Sequence, residues 1–97
     1  MLARAVNVQF QPDKVKEASR IVREEIVPAM EELDGFEGQF LLMQRDTGQA
    51  ISLKLWETED ALTAFESSSL YGELMGRLSG VLAGPPEGEQ YDVAVEA

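Results

Sequence analysis

One segment constrains the fold more than any other, because in it an alternating strand runs without a linker into a capped helix. From Ile51 to Leu55 every second residue is large and apolar, which is the period of a strand with one buried face. Thr58 then offers a hydroxyl oxygen to the first free amides of a helix, and Glu59 and Asp60 follow in its positive first turn. The segment predicts a strand that leads directly into a helix.

The residues before this segment predict a strand followed by a long helix. Polar and apolar side chains alternate over residues 3–10, and Asn7 falls on the face opposite the larger apolar residues. Apolar residues then recur every three or four positions from Val15 to Leu33, the pattern of a helix that lies on a sheet. Pro28 lies inside this helix and is expected to bend it, since proline removes a backbone donor.

The remaining residues predict two more strands and a broken helix. Residues 36–45 form a strand interrupted early by Gly38, and the turn residues 46–49 join it to the next strand as a hairpin. The helix after Thr58 is expected to break at the serines of positions 67–69, and residues 90–95 alternate as a last strand. The predicted order is strand, helix, strand, strand, helix, strand.

This order is that of a ferredoxin-like βαββαβ fold of the α+β class, in which two helices cover one face of an antiparallel sheet. We expect residues 1–97 to form a single domain of this kind. Several strands are apolar on both faces, and the helices cover only one of them. A second copy packed on the other face is the simplest cover, so the sequence predicts a homodimer in the form of a dimeric α+β barrel.

Charge and composition exclude several classes of protein. The formal net charge is −10, and no cluster of Lys or Arg breaks the acidic surface, so neither nucleic acid nor an anionic membrane is an expected partner. The chain has no cysteine and no histidine, which excludes thiolate nucleophiles, Cys/His zinc sites, Ser-His-Asp triads and histidine-ligated haem. No segment has the length and apolarity of a membrane span, and a cytoplasmic protein without metal or cofactor is the prediction.

Three motifs within this order are similar to those of a known family. They are Gly35-Phe36-Glu37-Gly38, Leu55-Trp56-Glu57-Thr58-Glu59-Asp60-Ala61-Leu62 and Ser69-Leu70-Tyr71. With the element order, they make nearly the whole chain resemble the antibiotic biosynthesis monooxygenase family of small dimeric α+β barrels. The resemblance implies one of several activities: cofactor-independent oxygenation of polyketide quinols, quinol oxidation, haem degradation, processing of signal molecules, or no reaction yet assigned.

The haem-degrading branch is the poorest match among these activities. Its first-strand asparagine corresponds to Asn7, but its helix tryptophan falls on Phe65 and its iron-ligating histidine falls on Met75. A lone methionine without a histidine is an improbable axial ligand. Haem degradation is therefore disfavoured.

Three polar or amphipathic side chains of the strands are candidates for a ligand pocket, each beside a structural alternative. Asn7 needs partners for its amide, either from a ligand or from backbone and water. Trp56 is either one wall of a cavity, with its indole N–H free to orient an oxygen, or a core residue. Lys54 is either a partly buried ammonium that stabilises a phenolate or enolate, or an exposed partner in a salt bridge.

Three residues of the second helical region complete the candidate pocket. Phe65, Tyr71 and Met75 would present an aromatic and adaptable surface to a ligand, or would be ordinary core between helix and sheet. The first hypothesis is a homodimer that binds a small aromatic, quinol-type ligand and oxygenates it without cofactor. The second is a non-catalytic, small-molecule-binding or stress-related dimer, in which these positions are core. A cavity of roughly a few hundred Å³ bordered by Asn7 and Trp56 would favour the first.

Overall fold

The computed structural model describes residues 1–97 and contains one antiparallel four-stranded sheet with its helices on one face. The strand order in the sheet is β2-β3-β1-β4. This arrangement confirms the predicted ferredoxin-like α+β fold. The elements in chain order are β1 (Leu2–Gln9), a 3-10 turn (Pro12–Lys14), α1 (Val15–Ile21), a π-helical turn (Val22–Ile26), α2 (Val27–Met30), β2 (Phe36–Met43), β3 (Gln49–Trp56), α3 (Glu59–Glu66), α4 (Ser69–Leu78) and β4 (Glu87–Asp92).

Two hydroxyl side chains begin the two helices that follow β3. The Thr58 hydroxyl oxygen accepts a hydrogen bond from the Ala61 amide at 3.2 Å, which fixes the start of α3 directly after the strand. The Ser68 hydroxyl accepts from the Tyr71 amide at 3.4 Å and donates to the Phe65 carbonyl at 2.6 Å. Ser68 therefore ends one helix and begins the next, which confirms the predicted break at the serines.

The first helical region is irregular one turn before Pro28. Residues Val22–Ile26 form a π-helical turn, and the Val27 amide donates to the Val22 carbonyl. Pro28 has no amide proton to continue the ordinary pattern, and a wide turn is one way a helix accommodates such a loss. The turn keeps Val22 and Ile26 both buried against the sheet.

A bulge at Gly38 exchanges the two faces of β2. Phe36 pairs with Trp56, but the register shifts at Gly38, and from there Gln39 pairs with Lys54. Cross-strand partners share a face of the sheet, so Gln39 lies with Lys54 beneath the helices while Phe40 turns to the opposite face. The strand ends at Met43, two residues before the predicted end at position 45.

The last strand lies earlier than the predicted residues 90–95. It runs from Glu87 to Asp92 and pairs with β1, where Leu2 faces Asp92. One further hydrogen bond joins the Val93 amide to the Met1 carbonyl at 3.0 Å, and there the ladder ends. Val95, which the alternation had placed in the strand, is 87% exposed because it has no partner on β1.

The sheet has one covered face and one open face. The core lies between helices and sheet, with Trp56, Phe10 and Met30 as its largest fully buried side chains. On the opposite face Phe40 is 57% exposed and Leu42 is 51% exposed. The helices of a single chain therefore cover only one face of the sheet, which is what the sequence predicted. None of the helices has both the length and the apolarity required to cross a bilayer.

Candidate functional site

A cavity between the sheet and α3–α4 contains most of the predicted pocket residues. Its larger compartment offers about 70 Å³ to the centres of water molecules, and this compartment together with the open space at its mouth measures about 560 Å³. A second compartment of about 50 Å³ continues towards the π-helical turn. Both compartments are lined by Val8, Ser52, Lys54, Phe65, Tyr71, Met75 and Leu78.

The enclosed space suits one aromatic ring rather than a large ligand. An apolar cavity of about 150 Å³ holds benzene, and the two compartments together are of that order. The volume is smaller than the few hundred Å³ that the first hypothesis anticipated. The further rings of a fused ligand such as an anthrone would lie in the open mouth, where Tyr71 is 36% exposed.

The structure brings together five of the six predicted pocket residues and separates the sixth. Asn7 pairs with Ile51 on β3, and both lie on the open face of the sheet. Its neighbours Val6 and Val8 point into the cavity instead, because adjacent residues of a strand project to opposite faces. Asn7 therefore borders a shallow groove beside Leu42 and not the cavity. The five residues brought together are Lys54, Trp56, Phe65, Tyr71 and Met75.

Three aromatic rings form a continuous wall on one side of the cavity. Trp56 and Phe65 stack at a centroid distance of 5.4 Å and an interplanar angle of 28°. Tyr71 meets Phe65 edge to face at 5.4 Å, and Phe36 supports Trp56 from behind at 5.6 Å. Aromatic pairs in these geometries contribute about 0.5–1.5 kcal/mol beyond their burial. The wall is therefore a rigid surface on which a flat ring can lie.

Lys54 is the ionisable group whose properties the cavity changes most. Burial removes solvent from its ammonium and lowers the pKa of Lys54 to about 8, although the nearby Glu66 carboxylate acts in the opposite direction. Its Nζ donates a hydrogen bond to Ser52 Oγ at 3.2 Å. The Glu66 carboxylate is paired with Arg4, whose Nε lies 3.2 Å from Glu66 Oε2. Lys54 is thus a half-buried amine and not the exposed salt-bridge partner of the structural alternative.

Three buried polar atoms around Lys54 make no hydrogen bond, and one of them, Arg4 Nε, still has the Glu66 carboxylate as its ionic partner. The other two have no partner within the protein. Trp56 is fully buried, and its Nε1 donor reaches no acceptor. Gln39 Oε1 reaches no donor, although Gln39 is the direct cross-strand partner of Lys54. A buried polar group without a partner costs about 1–3 kcal/mol and calls for an explanation. One atom is a donor and the other an acceptor; Gln39 lies beside Lys54 on β2, and Trp56 lies two residues from Lys54 along β3.

Sequence reasoning missed four residues of this site. Arg4 and Ser52 could have been found by extending the strand alternation that located Lys54. Gln39 could not, because without the bulge at Gly38 it would face away from the cavity. Glu66 is the last residue of α3, and no sequence pattern marks it.

The site offers little to a metal ion or to haem. No group of three or more acidic side chains is arranged to hold a metal ion. Met75 lines both compartments, but it is the only sulfur side chain there and no histidine accompanies it. The enclosed space is that of a single ring, so the residues present do not fit haem.

The sequence is similar to a known family and to curated proteins. The sequence model of a family described as antibiotic biosynthesis monooxygenase matches residues 1–77. Among curated proteins, the uncharacterized protein Rv2558 of Mycobacterium tuberculosis is 32% identical over 93 residues, which cover 96% of this chain and 39% of the relative. The chain thus spans about two fifths of the length of the curated relatives that it matches.

Solved structures share the fold at low sequence identity. A monooxygenase from the gene ActVA-Orf6 of Streptomyces coelicolor, in complex with the ligand nanaomycin D, has a TM-score of 0.85 and 19% identity and covers 99% of this chain and 89% of its own. Rv0793 of Mycobacterium tuberculosis has a TM-score of 0.76 and 19% identity, and the match covers 99% of this chain and 97% of Rv0793. At these identities the likeness concerns the fold.

Proposed function

Because this chain belongs to the antibiotic biosynthesis monooxygenase family, we propose that it is a monooxygenase that oxygenates a small aromatic or quinol-type substrate in the Lys54 cavity without a cofactor. The observation that supports this most is a half-buried amine with a lowered pKa, set beside an aromatic wall and an unpartnered indole N–H. A cofactor-free oxygenase requires a base, a dry cavity and a donor for developing negative charge.

Lys54 supplies the base that the absence of histidine had left unidentified. With its pKa near 8, roughly a tenth of the Lys54 amines are neutral at pH 7, against fewer than one in a thousand for an ordinary lysine. The neutral Nζ takes a proton from a substrate hydroxyl or an acidic ring CH₂. The ammonium that results lies next to the substrate anion and stabilises it, so the same side chain serves as base and counter-ion.

The reaction then needs only molecular oxygen. The substrate anion gives one electron to O₂, and the radical pair combines to form a C–O bond. For an anthrone, the resulting peroxide loses water, so that the ring CH₂ becomes C=O. One oxygen atom enters the product, the other leaves as water, and the substrate itself supplies all four electrons. As the O–O bond breaks, the departing oxygen takes the proton held by Lys54 Nζ and the hydrogen of the remaining ring C–H bond and leaves as water, and the amine returns to its neutral form.

Two features of the cavity support this chemistry. Trp56 Nε1 can donate to the oxygen on which negative charge develops, and a donor in a water-poor site stabilises such charge more strongly than it would in water. Tyr71 and Met75 stand at the mouth, where a flexible methionine adapts to rings of different width. Substitution of Trp56 should therefore affect the stabilisation of charge, whereas substitution of Tyr71 or Met75 should affect the fit of the ring.

Oxygen uptake by the purified, metal-free protein over a panel of quinols and anthrones tests the proposal. We expect uptake above the rate without protein, a loss of at least tenfold in Lys54→Met, and a smaller loss in Trp56→Phe. Lys16→Met, on the exposed face of α1, is the matched control, and Asn7→Ala tests the residue that lies outside the cavity. Uptake that is unchanged in Lys54→Met would contradict the proposed base.

A non-catalytic binding protein is the second candidate, and the small enclosed volume favours it. A binding protein requires the wall and the unpartnered donor but no turnover. It would quench the fluorescence of Trp56, the single tryptophan, on binding a quinol without consuming oxygen. Quenching without uptake across the panel would select this reading.

We also propose that a second copy of the chain covers the open face of the sheet. Phe40, Leu42 and Ile51 are between 40% and 57% exposed and lie on neighbouring strands. An apolar patch of adjacent strands on a small domain is typical of an interface between subunits. Continuity of this patch across β2 and β3 is the support for the homodimer.

A further inference from the structure

We propose that Gln39 selects substrates that carry a second free hydroxyl group and rejects their O-methyl ethers. This inference rests on the proposed function, since it concerns the same cavity. It begins from a carbonyl oxygen, Gln39 Oε1, that is buried and has no donor within the protein.

The register of β2 and β3 places Gln39 beside Lys54. Gln39 and Lys54 are cross-strand partners, and both line the compartment nearer the π-helical turn. On a pleated sheet, directly paired side chains lie about 4.5–5.5 Å apart at Cβ. We place the reacting group of a ring at Lys54 Nζ and the substituent opposite to it at Gln39 Oε1.

The chemistry of an amide oxygen decides which substituent fits. It accepts hydrogen bonds and donates none, so a hydroxyl satisfies it and an ether oxygen does not. A methoxy group would also bring a methyl into a compartment of about 50 Å³ and leave the acceptor unsatisfied. Sites built to bind a hydroxyl reject the analogue that lacks it because the buried partner stays unpaired.

Trp56 lies two residues from Lys54 along β3 and borders the larger compartment, whereas Gln39 borders the smaller one. The buried Nε1 of Trp56 is a donor without an acceptor. The two residues therefore meet different parts of a bound ligand. Gln39 is thus assigned to recognition of the substrate and not to the proton transfer.

A pair of ligands that differ by one methyl group tests the assignment. The two ligands are 1,4-dihydroxynaphthalene and 4-methoxy-1-naphthol, and each keeps one hydroxyl for Lys54. Binding is measured under argon by quenching of Trp56 fluorescence, so that no turnover is required. We expect the wild-type protein to bind the diol at least tenfold more tightly than the ether.

Substitution of Gln39 should remove this preference and keep the binding. In Gln39→Met the ratio of the two dissociation constants should fall to within about twofold, since a thioether neither requires nor strongly accepts a donor. Gln90→Met is the matched control, because Gln90 lies in the same cross-strand row but is exposed on β4, and its ratio should equal that of the wild type.

The outcomes separate this inference from the proposed oxygenase. A ratio of dissociation constants near one in the wild type, or a high ratio that remains in Gln39→Met, overturns the assignment of Gln39. If oxygen uptake is still seen on the panel in that case, the oxygenase proposal stands without it. Oxygen uptake that is absent, together with a ratio that depends on Gln39, supports the inference in a binding protein. A wild-type protein that binds neither ligand overturns the inference as well.

Discussion

The replacement of Lys54 by methionine should make the protein more stable at neutral pH, by an amount that shrinks as the pH rises. The pKa of Lys54 is about 8 in the folded protein, against 10.5 for an unperturbed lysine. At 1.36 kcal/mol for each pKa unit, keeping the buried amine protonated costs the folded state about 3 kcal/mol at pH 7. Methionine fills the same space without a charge, so Lys54→Met removes this cost.

The pH dependence follows from proton binding. Between pH 8 and 10.5 the unfolded chain holds more protons at position 54 than the folded one, so the wild-type protein gains stability from this group as the pH rises through that window. The cost of the buried charge falls from about 3 kcal/mol at pH 7 to about 2 at pH 9 and about 1 at pH 10. Below about pH 7 the cost no longer changes with pH.

Reversible urea unfolding of both proteins at pH 7, 9 and 10 measures the difference. Other groups titrate equally in the two proteins, so they cancel in the difference of their free energies of unfolding. Lys16→Met, at an exposed position, should differ from the wild type by less than about 0.5 kcal/mol at all three pH values. A difference between Lys54→Met and the wild type that does not change with pH would refute the assignment of a buried, destabilised charge.

Three other experiments test the helix cap at Thr58, the rejection of haem and the proposed dimer interface. Thr58→Ala should lower the free energy of unfolding by about 1 kcal/mol in a urea titration, because the Ala61 amide loses its capping oxygen; an unchanged midpoint would argue against the cap. Reconstitution with haemin should give no stoichiometric Soret band, and a sharp band that disappears in Met75→Ala would overturn the rejection of haem. Light scattering at micromolar concentration should give the mass of a dimer for the wild type and of a monomer for Phe40→Glu, since a carboxylate on the open face cannot be buried there; a monomeric wild type would remove the proposed interface.

The sequence was sufficient for the fold wherever a local pattern has a single physical meaning. Alternation from Ile51 to Leu55 located β3, and it placed Lys54 and Trp56 together on one face. The apolar face that it marked as buried is the open face of the sheet, where Ile51 is 40% exposed. The hydroxyl of Thr58 marked the start of α3, and the serines of positions 67–69 marked the break between α3 and α4. These signals work because each depends on neighbours within a few residues.

The parts that the sequence did not predict depend on register between distant strands. The bulge at Gly38 exchanges the faces of β2, which brings Gln39 under the helices and turns Phe40 outwards. The extent of β4 depends on where β1 can pair with it. The alternation of side chains in the sequence continued to residue 95, beyond the last residue that pairs with β1. Asn7 was proposed from the family resemblance, yet the alternation of β1 places it on the open face. A residue match carries over a role only when its strand face is also preserved.

The fate of ¹⁸O₂ in an anthrone oxidised by the metal-free protein tests the proposed reaction most directly. We expect one ¹⁸O atom to enter the product ketone, at a rate above that without protein, and Lys54→Met to reduce this rate to the background. Product formed without ¹⁸O, with hydrogen peroxide released instead, would contradict a monooxygenase. An equal rate in Lys54→Met would show that the base lies elsewhere.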